Sequence, residues 1–175
     1  MIRNAARGFT LIELMVSITI IGILSAGAAV AFGNARANAR DAQRYAVLAQ
    51  MQLALETYRQ VNGEYPKSKE ASWDCVCTHY GPAKGVTGAT GYVPNLAPTY
   101  MTKLPIDPVN ANGYPASGDG GYLYWSDGID YKFLVYTTME KNVKCDDAKD
   151  EYWDPRITPK RQNTCAIYTP GAANR

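Results

Sequence analysis

Apolar residues are arranged in three successive patterns along this chain. Between Glu13 and Arg36 stand 22 uncharged residues, "LMVSITIIGILSAGAAVAFGNA". As a helix they would cover about 33 Å, enough to cross the hydrocarbon core of a bilayer. Next comes "NARANARDAQRYAVLAQMQLALETYRQV", free of Gly and Pro and rich in strong helix formers. Its Tyr45, Leu48, Met51, Leu55 and Tyr58 recur at steps of three and four, which makes one stripe on a helix. Asn62-Gly63 supplies a C-terminal cap, and Pro66 prevents continuation. The pattern predicts one helix of about 50 residues, roughly 75 Å long, apolar in its first half and amphipathic in its second.

Beyond Gly63 the period changes. In "GYLYWSDGIDYKFLVYTT", Tyr131, Phe133 and Val135 alternate with Lys132, Leu134 and Tyr136. This predicts two strands around an Asp127-Gly128 turn, with one face available to pack on the amphipathic helix. "CAIYT" can add a last short strand. Residues 64–105 are irregular, and the Gly- and Thr-rich "GPAKGVTGATGY" is expected to be an exposed loop. The fold class is therefore α+β: a long N-terminal helix packed on a small antiparallel sheet.

Composition sharpens the boundary. All ten prolines and all four cysteines lie beyond Gly63. The 175 residues suffice for one globular domain plus an appendage. With 18 basic and 16 acidic residues, charge gives no global case for nucleic acid as main partner. Arg3 and Arg7 precede the apolar run and favour a cytoplasmic N-terminus. A cleaved secretory signal is the rival, but its apolar core is shorter and its mature start is not helical, whereas here the helical pattern continues. Arg36, Arg40 and Arg44 form a second stripe, expected to be a solvated, juxtamembrane or inter-subunit charge row. A DNA-binding track is the alternative, and three arginines are few for it.

"RGFTLIELMVSITIIGIL" resembles the N-terminus of type IV prepilins and type II secretion pseudopilins. The shared features are a short basic leader ending in Gly8, then Phe9, a Thr-Leu-Ile-Glu segment and a long apolar helix. The resemblance implies cleavage between Gly8 and Phe9 by a membrane prepilin peptidase, and N-methylation of Phe9. It divides the chain into a leader (1–8), a transmembrane and assembly helix (9–35), the amphipathic half of that helix (36–63) and a β-rich head (64–175). The implied partners are further copies of the chain in a helical homopolymer, the inner-membrane assembly machinery and the peptidase. The implied location is the inner membrane, as a single-pass precursor with the head outside, and then an extracellular filament.

Within this frame Glu13 acquires a role. A carboxylate in lipid is costly and by default has a partner. Cleavage creates an α-amino group at Phe9, so Glu13 of an incoming subunit can pair with the Phe9 ammonium of a neighbour, strengthened by the low dielectric. The alternative is a glutamate that marks the membrane edge and snorkels outward. Gly22 and Gly27 either permit close helix packing or mark a stretch that melts on assembly, as in pili that resemble this one. Val30 stands where many such pilins carry a proline.

In the head, Leu104, Pro105, Asp107 and Pro108 in "TYMTKLPIDPVN" resemble the Leu-Pro-x-Asp-Pro segment of pseudopilins and related pilins. Major pseudopilins bind Ca²⁺ near that segment, so Asp107, Asn110, Asn112 and Asp119 are candidate oxygen ligands. This chain departs from them in having Val109-Asn110 where Trp-Gly would follow. Four cysteines, Cys75, Cys77, Cys145 and Cys165, in an extracytoplasmic domain point to two disulfides. Cys75 and Cys77 are too close in sequence to favour each other, so each is expected to join one of the later pair. The resemblance suggests the other connectivity, with Cys145–Cys165 closing a C-terminal loop. In "CVCTH", Cys75, Cys77 and His79 are a rival soft-metal set at non-standard spacing.

Enzymatic chemistry finds no footing. The only histidine is His79, and no nucleophile elbow or phosphate-cradling motif appears. The acidic "CDDAKDEYWD" is expected to be a solvated loop. The expectation is a structural subunit, a type IV pilin. The alternatives are a type II secretion pseudopilin forming a periplasmic pseudopilus, or a DNA-uptake binding pilin.

Overall fold

A computed structural model describes residues 9–68, 73–75, 85–109, 120–141, 143–157 and 161–175, with the side chains of Asp74 and Cys75 left out. Helix α1 spans Leu11–Asn62. It ends where Gly63, at φ 80°, takes the left-handed conformation open to glycine and donates its N–H to the Arg59 carbonyl at 2.8 Å. By packing, the chain divides into two units, Met1–Ala37 and Asn38–Arg175.

The second unit is built around a sheet with the spatial order β1 (Asp74–Cys75), β2 (Gly121–Ser126), β3 (Tyr131–Tyr136) and β4 (Cys165–Tyr168). All neighbours are antiparallel. The β2–β3 hairpin pairs Gly121 with Tyr136 and Ser126 with Tyr131. Its loop turns at Gly128, φ 99°, and the Asp127 carboxylate accepts the N–H groups of Ile129 and Asp130, both at 2.9 Å. The α+β expectation holds.

One sheet face, with Tyr122, Tyr124, Tyr131, Phe133, Val135 and Ile167, joins Leu48, Met51 and Leu55 of α1 in the main core. Tyr45 and Tyr58 pack at its margin, so the predicted stripe is the buried stripe. Of the expected exposed loop, Gly85, Thr87, Ala89 and Thr90 are exposed, but Tyr92 at its end is completely buried, as are Val93, Leu96 and Leu104 in the irregular stretch that follows. A short sheet covers only part of the helix stripe, and these side chains close the remainder.

The other sheet face is also buried. Leu123, Leu134, Tyr136 and Ala166 form a second cluster, flanked by Trp73, Ile157 and Tyr168. Every residue of β2 and β3 is therefore buried, including Lys132. Period-two alternation marks which residues share a face but does not reveal whether a later segment covers the second face.

Candidate assembly site

The N-terminal unit shows how the Thr-Leu-Ile-Glu segment folds locally. Glu13 Oε2 accepts the Thr10 N–H at 2.9 Å and the Thr10 hydroxyl at 2.7 Å. In return, Thr10 Oγ1 accepts the Glu13 N–H at 3.3 Å. This reciprocal pair is a capping box, and it satisfies donors that the first turn of any helix leaves orphaned. The T-x-x-E spacing was present in the sequence; attention to membrane burial alone passes over it. Both carboxylate bonds fall on Oε2, so the cap leaves Oε1 outside it.

Two of the three hydroxyls within the apolar run are satisfied by the helix itself. Ser17 donates to the Glu13 carbonyl and Thr19 to the Val16 carbonyl, each at 2.7 Å. The most apolar window has a mean hydropathy of 2.2, and none of it is buried in the chain. Phe9 is 84% exposed. The helix runs unbroken through Gly22 and Gly27, beside which a Cβ would meet nothing within 4 Å. An apolar surface of this extent needs lipid or other helices against it.

The arginine row proves not to be a uniform solvated stripe. Arg44 is completely buried. Its Nε and Nη2 donate to Asp107 Oδ2 and Oδ1 at 2.8 and 3.0 Å, a bidentate pair. Its Nη1 reaches Asp41 Oδ1 at 2.8 Å and Glu140 Oε1 at 3.0 Å. Arg40 clasps Glu140 through Nε and Nη2, while Arg36 is exposed. Asp41 in turn accepts the N–H groups of Glu140 and Lys141. Burial opposes the charge of Arg44, but Asp107, Glu140 and Asp41 outweigh it and raise its pKa. Hydrogen bonding by Arg40, then by Arg44, holds Glu140 below the usual carboxylate range against partial burial. The network ties α1 to the Asp-Pro segment and to the loop after β3. Asp41 lies one helical turn before Arg44, but Asp107 and Glu140 are 63 and 96 residues away, so only the three-dimensional path brings those two to the guanidinium.

Asp107, proposed as a calcium ligand, thus has both oxygens on Arg44, and Oδ1 also accepts the Val109 N–H at 3.0 Å. Asn110, Asn112 and Asp119 lie outside the described residues. Among the described residues, no group of three or more His, Cys, Asp or Glu is placed to hold a metal ion.

Cys145 and Cys165 are joined to each other, with Cα atoms 5.3 Å apart. This is the connectivity that the resemblance suggested, and not the pairing of each with Cys75 or Cys77 that the spacing suggested. β4 carries Cys165 into the core, and the segment after β3 delivers Cys145 to the same buried place, where both are completely covered. The side chain of Cys75, and Cys77, His79 and Gly8 altogether, lie outside the described residues. The acidic segment is also not wholly solvated. Asp146, Asp147 and Glu151 are exposed, but Asp154 is buried with its Oδ2 at 2.7 Å from the Lys132 Nζ. Lys132 donates as well to the carbonyls of Ala173 and Arg175. Burial lowers the Lys132 pKa, and Asp154 offsets part of that effect.

The family model "Prokaryotic N-terminal methylation motif" matches residues 3–29, the stretch that holds Gly8, Phe9, the capping box and the start of the apolar helix. At its N-terminus the chain is thus similar to proteins that carry this type IV prepilin signature. A curated "Fimbrial protein" of Moraxella nonliquefaciens is 37% identical over 73 residues, 42% of this chain and 47% of that protein. The matched stretch thus spans about half the length of that relative. No solved structure matches the chain. A pilin- or pseudopilin-type structural subunit fits both the motif and the exposed helix, as does a membrane-anchored precursor.

Proposed function

We propose that this pilin-like chain is a structural subunit of a type IV pilus. It is held in the inner membrane as a single-pass precursor, cut after Gly8, methylated at Phe9 and polymerised into an extracellular helical filament. The observation that carries this reading is the helix that starts at Phe9-Thr10. It is capped, apolar and wholly uncovered, with Glu13 as the sole charge between Phe9 and Asn34. Such a helix is stable as a segment but unfinished as a surface, and lateral packing with other copies completes it. The Oε1 oxygen outside the cap lets Glu13 keep Thr10 while accepting the Phe9 ammonium of a neighbour. The partners are the peptidase, the assembly machinery and further copies of the chain; no catalytic role is proposed.

The test is Glu13→Ala. Mass spectrometry of the membrane fraction should show an N-terminal methyl-Phe9 in both wild type and variant, while sheared filaments from the variant fall sharply. Uncut precursor in the wild type, or full filament yield from the variant, would defeat the assignment. Electron microscopy of wild-type cells distinguishes long surface filaments from a short periplasmic pseudopilus, the alternative that the Leu-Pro-x-Asp-Pro segment favours.

A further inference from the structure

One surface of the head is built unlike the surface of a solvated domain. A cleft of about 490 Å³ runs beside α1, lined by Leu53, Ala54, Thr57, Tyr100, Met101 and Lys103 among others. Its helix wall presents Leu53 at 71% exposure. Ala42, Ala46 and Ala49 precede Leu53 at steps of four, three and four, all exposed. No charged residue occurs between Tyr45 and Leu55, although a solvent-facing helix side ordinarily carries them. The opposite wall is held in place. Tyr100 packs its ring 5.1 Å from that of Tyr58, its hydroxyl accepts the Asn62 amide at 2.8 Å, and its N–H bonds the Leu96 carbonyl at 2.9 Å. Leu104, just beyond, is completely buried. The cleft is therefore preformed, with Leu53, Ala54, Tyr100 and Met101 as an apolar strip beside the polar Gln50, Thr57 and Thr102, and small residues beside it let another backbone come close.

We propose that this cleft receives residues 11–33 of a second copy of the chain. The inference rests on the filament reading above and gives it a specific contact. Among the described residues that segment is the longest uncovered apolar stretch, so a second copy brings the complementary material in equal number. The charges are also compatible. Lys103 is the one charged residue lining the cleft, and Glu13 is the one charged residue in the segment, of opposite sign. The contact is heterologous, groove on one copy and helix on the next, which propagates as an open helical polymer rather than closing as a dimer.

Two experiments on the full chain in cells test it. Leu53→Glu changes an exposed residue, so cleavage and membrane level should match wild type, while filament yield falls about a hundredfold, the consequence of placing a charge in an apolar helix contact. Filament yield equal to wild type would overturn the proposal and leave the filament reading intact; a wild type without filaments would overturn both. Second, a photo-reactive benzoylphenylalanine in place of Leu53 should, in sheared filaments, cross-link to a peptide within residues 11–33 of another copy. Adducts only to head peptides, to a different protein, or none at all would overturn the assignment of the occupant.

Discussion

The two units of this molecule handle charge and apolar surface in opposite ways. In the N-terminal unit the apolar side chains face outward and the single carboxylate, Glu13, sits at the surface of its own helix. In the head the large apolar residues are enclosed, with Leu53, Val61, Val109 and Ile129 as exceptions, and charges are enclosed with them: Arg44 with Asp41, Asp107 and Glu140, and Lys132 with Asp154. One unit is energetically incomplete as a single chain and the other has a closed core. Substitutions should therefore separate cleanly: in the core of the head they should change stability and leave processing untouched, and in the apolar helix they should change assembly and leave the stability of the head untouched.

The largest expected effect is at Arg44. Arg44→Ala would leave Asp41 and Asp107 buried without their cation, and breaking a buried pair from one side costs about 3–5 kcal/mol. Denaturant unfolding of the full chain in detergent, read on head aromatic fluorescence, should show that loss, while cleavage after Gly8 continues. Arg44→Met with Asp107→Leu and Asp41→Leu should recover much of it, because a well-packed apolar replacement removes the desolvation problem. A stable single variant would mean that the network is ornament, and the contrast between the units would fail.

The disulfide comes next. Cys145–Cys165 spans 20 residues, and a loop of that size contributes about 3 kcal/mol by constraining the unfolded chain. The paired substitution Cys145→Ser and Cys165→Ser should lower head stability by that order, with membrane insertion unchanged. Loss of insertion or of peptidase processing instead would show that the units are coupled.

These tests also mark what could be read from sequence. The helix stripe from Tyr45 to Tyr58, the Gly63 stop, the hairpin and the prepilin-like N-terminus are local patterns, each carried by neighbours within a few residues. The partners of Arg44 are not. Asp107 and Glu140 look like ordinary loop acids, and only the path of the chain over α1 brings them to the same guanidinium. Lys132 shares its phase of the alternating strand with Leu134 and Tyr136, and alternation alone does not reveal what covers that face. The C-terminal segment supplies the Ala173 and Arg175 carbonyls that bury it. The cysteine pairing that the spacing suggested failed for the same reason, since sequence distance excluded one neighbour but could not locate the others.

The smallest effect is the most discriminating, because it asks how far the closed charge network extends to the surface. Glu140 is bound by Arg40 and Arg44 but keeps 28% of its side chain exposed. Its folded pKa lies below the ordinary carboxylate value, chiefly because Arg40 hydrogen-bonds the ionised form. A depressed carboxylate contributes stability above its unfolded pKa and loses it as pH falls through the folded pKa. Wild type should thus exceed Glu140→Gln in stability near neutral pH by about 1 kcal/mol or less, screened by solvent and salt. The gap should narrow below about pH 4.5, and it should shrink in high salt at pH 7. A gap unchanged by both acid and salt would mean that the Glu140 side chain acts through packing and not through its charge. The charge network would then end at Arg44, and the line between closed interior and open surface would fall one residue further in.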